Sequence, residues 1–113
     1  MDKAERERRE AVFAGAKAAV LGSRPQMAEG FTIRRVAAEE FVLCSSSSAP
    51  DTPIGVLEAQ FLWLVNGERT VGDIINAMAD ELDTTQAVIA GKAAMAALHT
   101  HYVDGVIDEL RGL

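Results

Sequence analysis

The side chains that most often carry chemistry are few in this chain and are poorly arranged for it. His99 and His101 lie two residues apart, so on a helix they point to nearly opposite sides and cannot bind one metal ion together, although on a strand they would share a face. Asp80, Glu81 and Asp83 crowd the polar end of a predicted helix, where nothing predicts the burial that acid–base catalysis requires. We therefore expect no metal site and no catalytic carboxylate here.

Nucleophile and phosphate motifs are equally weak. The single cysteine, Cys44, lies on a predicted strand and is expected to be a small buried hydrophobic side chain. The serines at 45–48 have no histidine or aspartate placed beside them in a nucleophile motif, and Gly67, Gly72 and Gly91 do not form a phosphate-binding fingerprint. These patterns favour a protein that is not an enzyme and holds no cofactor.

Composition and charge argue against a disulfide-stabilised protein, a membrane protein and a nucleic-acid-binding protein. The chain has 113 residues, 49% of them hydrophobic, as expected of one globular domain, and a lone cysteine cannot form an internal disulfide. No apolar run approaches the ~20 residues of a membrane helix, and the first ten residues are too charged for a signal peptide, so we expect a cytoplasmic protein that does not enter a membrane. Residues 1–36 carry eight Lys and Arg against five carboxylates, a net +3, whereas residues 37–113 carry three against twelve, a net −9. The acidic part should repel nucleic acid.

The amino-terminal third is predicted to contain one helix and a β-hairpin. Residues 1–24 form a charged helix with Phe13, Ala16 and Val20 on one face. This helix is expected to pack on its own domain, with pairing to a second copy or docking on a partner as alternatives. A linker at 25–30 leads to a domain at 31–113, in which residues 31–36 and 41–45 form the hairpin and residues 45–51 form a mobile connection.

Three helices follow. The first, from residue 54, is apolar nearly all round and ends at Asn66-Gly67, and its Trp63 is expected to be core, with a partner-binding hot spot as the alternative. Thr70 and Asp83 are predicted caps of the second and third helices. The third helix carries two apolar stripes. Its expected core face is Val88, Gly91, Met95 and Leu98, and its second stripe is Ile89, Ala93 and Ala96. His101 and Tyr102 are expected to meet solvent at its end.

After the third helix, a short strand at 106–107 and a frayed tail at 108–113 are expected. The element order predicts an α+β fold of the winged helix-turn-helix type, with short antiparallel strands packed on three helices and an extra amino-terminal helix. Many such folds bind DNA, but the helix that would enter the major groove offers Ala87, Ile89 and Ala90 where base-reading side chains are needed, with Lys92 as a single cation.

The stretch at 61–75, and above all Asn66-Gly67-Glu68-Arg69-Thr70-Val71, resembles the PqqD family, whose turn reads Asp-Gly-Glu-Arg-Thr-Val. The resemblance covers residues 31–108. It implies a non-catalytic chaperone, a recognition element that holds the leader part of a precursor peptide for a modifying enzyme, often a radical S-adenosylmethionine protein.

In that family the peptide adds as a strand to the sheet edge and lies against the third helix. The strand concerned corresponds to residues 49–54. The resemblance therefore implies six peptide-binding residues in this chain, namely Thr52, Ile54, Ile89, Lys92, Ala93 and Ala96. Two alternatives stay open: a winged-helix protein that contacts DNA phosphates through Arg6, Arg8 and Arg9, and an adaptor or homodimer built on the amino-terminal helix.

Overall fold

The computed structural model describes residues 1–47 and 49–113 and shows a mixed α+β fold, as predicted. Within these described residues, four α-helices pack with two small antiparallel sheets, one of two strands and one of three. In the described part of the chain, no helix is both long enough and apolar enough to cross a bilayer.

The chain begins with helix α1, Lys3–Ala16, which Asp2 caps by accepting a hydrogen bond from the Glu5 N–H. A 3-10 helix, Lys17–Gly22, extends it and buries Val20. Helix α1 packs against the domain that follows rather than projecting into solvent, so the prediction that it packs on its own domain is confirmed.

The first half of the expected linker at 25–30 is instead part of strand β1, Arg24–Met27. It pairs antiparallel with β5, Ile107–Arg111, at the other end of the chain. The tail that was expected to fray is therefore held in a sheet, and its Leu110 is buried. Both strands are short, and each is stabilised by backbone hydrogen bonds to the other. Because the two strands lie far apart in the sequence, the local sequence does not predict their pairing.

The predicted hairpin is confirmed as β2, Phe31–Ala37, and β3, Glu40–Ser45. The three-residue strand β4, Thr52–Ile54, adds to the free side of β3. The sheet order β2-β3-β4 makes β4 an edge strand. The expected mobile connection at 45–51 includes Ser48, which lies outside the described residues.

One face of this sheet meets the helices. The register places Phe41 opposite Ile54, and Leu43 opposite both Ile33 and Thr52. Phe41, Leu43 and Ile54 are buried, so their alternation fixes which face of the hairpin joins the core.

The three predicted helices are α2, Val56–Leu64, α3, Val71–Ala79, and α4, Thr84–Val103. The caps are as predicted: Thr70 and Asp83 accept from the N–H groups three residues later. In the turn between α2 and α3, the Asn66 side chain accepts from two N–H groups, and Gly67 adopts a φ of 79° that favours glycine.

The predicted core face of α4 is wrong in part. Leu98 is buried, but Val88 is 52% exposed, and the core side is made instead of Ala90, Ala94 and Ala97. Periodicity failed here because the helix is apolar on several sides. Alanine at three successive contact positions lets the other helices approach closely, and this decides which side faces inward.

Candidate functional site

A groove runs between the edge strand β4 and one face of α4, and we call it the β4–α4 groove. Its first section, about 380 Å³, is lined by residues of both elements and by the segment that leads into β4. Its second section, about 260 Å³, continues along α4 past Ala93 and Ala96. The two sections share Glu58 and Thr100, so they adjoin at these two residues.

Four of the six sequence-predicted site residues line this groove. Thr52 and Ile54 belong to the first section, and Ala93 and Ala96 to the second. The other two, Ile89 and Lys92, do not line either section. They are exposed on the preceding turns of α4, and Ile89 lies four residues before Ala93 and so extends the same face.

In the described part of the chain, the side chains on this face of α4 are at most partly covered. Ala96 is exposed, Ala93 is half-buried and Ile89 is 55% exposed. The second apolar stripe of the sequence is therefore an open surface, and the hairpin and α1 pack elsewhere.

The sequence did not predict the burial of two residues at the end of α4, of which His101 lines the groove. His101 and Tyr102, expected to meet solvent, are both only 5% exposed. The ring nitrogen Nε2 of His101 lies 2.5 Å from Oε2 of Glu58, in a hydrogen bond that joins α4 to the first turn of α2. Glu58 also accepts from the Gly55 N–H at 3.2 Å, which caps α2. The spacing of Gly55 and Glu58 is a capping signal, but nothing local pairs Glu58 with a histidine 43 residues later.

The two histidines diverge, as their spacing predicts. His99 stacks on Phe13 at 4.7 Å between ring centroids and hydrogen-bonds Glu10 at 2.7 Å, whereas His101 points to Glu58. Within residues 1–47 and 49–113, no group of three or more His, Cys, Asp or Glu side chains is arranged to hold a metal ion.

Cys44 is half-buried rather than buried, and it lies opposite Thr32 on the sheet face that turns away from the helices. Partial burial and a hydrogen bond with Asp51 raise the pKa of its thiol. A raised pKa leaves less thiolate at neutral pH, and the thiolate is the reactive form.

Trp63 is not a core residue. It is 52% exposed and rests edge-on against Phe41, with 5.1 Å between ring centroids. A depression of about 360 Å³ lies beside it. The core positions of α2 are taken by Ala59, Phe61 and Leu62, which leaves Trp63 on the outer side of the helix.

Comparison of the chain with protein-family models, with curated proteins and with solved structures found no match. Function must therefore be argued from the geometry and chemistry of the groove.

Proposed function

We propose that this protein is a non-catalytic peptide-binding module that holds an extended segment of a precursor peptide in the β4–α4 groove and presents it to a modifying enzyme. The observation that carries the proposal is the groove itself, an apolar depression bounded by an unpaired sheet edge and by a helix face of small side chains. These are the two surfaces that strand addition uses: backbone hydrogen bonds at the edge and side-chain pockets beside it.

The edge strand limits how the peptide pairs. Thr52 and Ile54 face β3, opposite Leu43 and Phe41, so the β4 residue directed to the free edge is Pro53, which offers a C=O but no N–H. Pro50, also within the strand implied by the family resemblance, lies outside β4. A peptide strand thus gains few backbone hydrogen bonds at this edge, and contacts with α4 must supply much of the affinity.

The helix face suits an extended backbone. Alanine at positions 93, 96 and 97 leaves room for a peptide to lie close to the axis of α4, and burying exposed apolar surface favours association. The exposed Ile89 extends this apolar track by a further turn.

The resemblance to the PqqD family supports the same proposal. The turn at 66–71 that carries it lies between α2 and α3, and the order α2, α3, α4, β5 is compatible with a winged helix-turn-helix unit. On this proposal the partners are a leader peptide and a modifying enzyme such as a radical S-adenosylmethionine protein.

Fewer observations support the two alternative functions, DNA binding and an adaptor or homodimer role. DNA binding would need free cations, yet Arg6 pairs with Asp104 at 2.6 Å, Arg8 with Glu5 at 2.6 Å, and Arg9 is buried. An adaptor or homodimer built on α1 would need the apolar face of that helix, which is already packed against its own domain.

The test compares two variants, one with a carboxylate added inside the groove and one with a carboxylate added outside it. Displayed random peptides of roughly twelve residues are selected on the full chain, and an enriched peptide is labelled and titrated by fluorescence anisotropy. Ala93→Glu should weaken binding by about tenfold or more, because it puts a bulky charge on the peptide track.

The matched control is Val88→Glu, which adds the same charge to an exposed position of the same helix outside the groove. It should bind within about twofold of the original chain. Both variants should keep the helical circular dichroism signal. Failure to enrich any peptide, or full binding by Ala93→Glu, would overturn the proposal.

A further inference from the structure

Glu58 stands at the junction of the two sections of the β4–α4 groove. It lines both, at the point where the track passes from the sheet edge to the small-residue face of α4. Its side chain is 29% exposed, so the carboxylate is partly withdrawn from solvent yet reachable from the groove.

The carboxylate is held in one orientation. One oxygen accepts from the Gly55 N–H at 3.2 Å, and the other is hydrogen-bonded to His101, which is itself buried in α4. A carboxylate oxygen has more than one acceptor position, so both oxygens retain capacity for a further donor. Holding the group from both sides reduces the entropy lost when a ligand pairs with it.

Among the described residues that line the groove, the only basic side chain beside this carboxylate is His101. These described residues include no lysine or arginine, and the other carboxylate, Asp104, accepts from Arg6 Nη1 at 2.6 Å. Glu58 is therefore the groove carboxylate without an arginine or lysine beside it. A peptide lying over it would strip water from a charged group, which is costly unless the peptide supplies a partner.

We propose that the bound segment carries a lysine or arginine whose side chain pairs with Glu58 at the middle of the groove, with small or apolar residues on either side. This inference rests on the proposed peptide-binding function and adds the substrate class to it. The charge-assisted hydrogen bond fixes the register of the peptide, since sliding it by one residue would turn the basic side chain to the other face of the strand.

The same peptide selection tests this. Enriched sequences should share one Lys or Arg at a fixed distance from their apolar residues. The basic peptide should bind Glu58→Gln about tenfold more weakly than the original chain, because the charge of the pair is lost. The amide NH2 group then faces His101 in place of the second carboxylate oxygen. Glutamine at this position can still accept from the Gly55 N–H, so the cap of α2 is retained.

Two controls isolate the pair. Glu7→Gln makes the same change of net charge on α1, where Glu7 is 67% exposed, and should leave affinity unchanged. A peptide with norleucine in place of its basic residue should bind the original chain and Glu58→Gln equally.

The outcomes separate this inference from the proposed function. Enriched peptides that are sensitive to Ala93→Glu but share no basic residue, or that bind Glu58→Gln and Glu7→Gln equally well, would overturn the basic-residue assignment and leave peptide binding intact. A selection that enriches no peptide would overturn both.

Discussion

Arg9 joins three elements through one buried guanidinium. It donates to the backbone carbonyls of Tyr102, Ile107 and Asp108 at 3.0 to 3.1 Å, and it lies 4.8 Å from the centre of the Tyr102 ring. The Arg9 Nε–H donates to Glu5. Hydrogen bonding from the Arg8 side chain, with Arg9 beside it, lowers the pKa of Glu5 to about 2. Arginine 9 thus caps α4 and ties α1 to both α4 and β5.

Replacing Arg9 by methionine should lower the free energy of unfolding by about 2 to 4 kcal/mol, because the apolar chain fits but leaves buried carbonyls without donors. Arg8→Met is the matched control, since Arg8 is exposed and donates to Glu5 alone among the described residues, and it should cost at most about 1 kcal/mol. Urea denaturation measures both. Equal midpoints for the two variants would show that Arg9 does not hold α1 in place.

At the residue scale, the sequence predicted the features that depend on residues close together in the chain. The helix caps at Thr70 and Asp83 were predictable because donor and acceptor lie three residues apart. The burial of His101 and the exposure of Trp63 were not, because both depend on elements distant in the chain. The sequence contains one indication that Arg9 is buried. It lies four residues before Phe13 and seven before Ala16, and so on the apolar face of α1.

At the scale of the element, α3 depends on its first turn. Thr70 accepts from the Asp73 N–H at 3.0 Å, and Asp73 accepts from the Thr70 N–H at 3.1 Å. This reciprocal pair satisfies two N–H groups that would otherwise lack a partner within the helix.

Thr70→Ala should therefore destabilise the protein by about 1 kcal/mol. The control is Thr85→Ala, an exposed position inside the first turn of α4, where alanine should be neutral or slightly stabilising. Thermal unfolding followed by circular dichroism compares them. A melting temperature for Thr70→Ala that is no lower than that of Thr85→Ala would contradict the capping account.

Helix α3 was predictable from its periodic pattern and its cap, and the β2–β3 hairpin from two short runs rich in β-branched and aromatic residues. The pair β1 and β5 was missed because strands of four and five residues with little alternation are stabilised only by pairing across the whole chain. The buried side of α4 was predicted incorrectly because alanine occupies several sides of this helix.

At the scale of the whole molecule, part of the charge asymmetry of the sequence is compensated inside the fold. The basic segment 1–36 folds back on the acidic remainder through Arg6 with Asp104 and Arg34 with Asp51. Sequence and resemblance together placed Thr52, Ile54, Ala93 and Ala96 at one groove. They did not reveal Glu58, because its place at the junction of the groove arises only when α2 packs on α4.

The most direct test of the account is to map where a peptide binds. An enriched peptide is added to the isotopically labelled full chain, and the changes in the backbone amide resonances and in the Trp63 indole N–H resonance are followed by NMR. A peptide bound in the β4–α4 groove should cause the largest changes on β4 and on the groove face of α4, at Thr52, Ile54, Ala93 and Ala96. Changes concentrated on α1 or on the Trp63 indole instead would contradict binding in this groove.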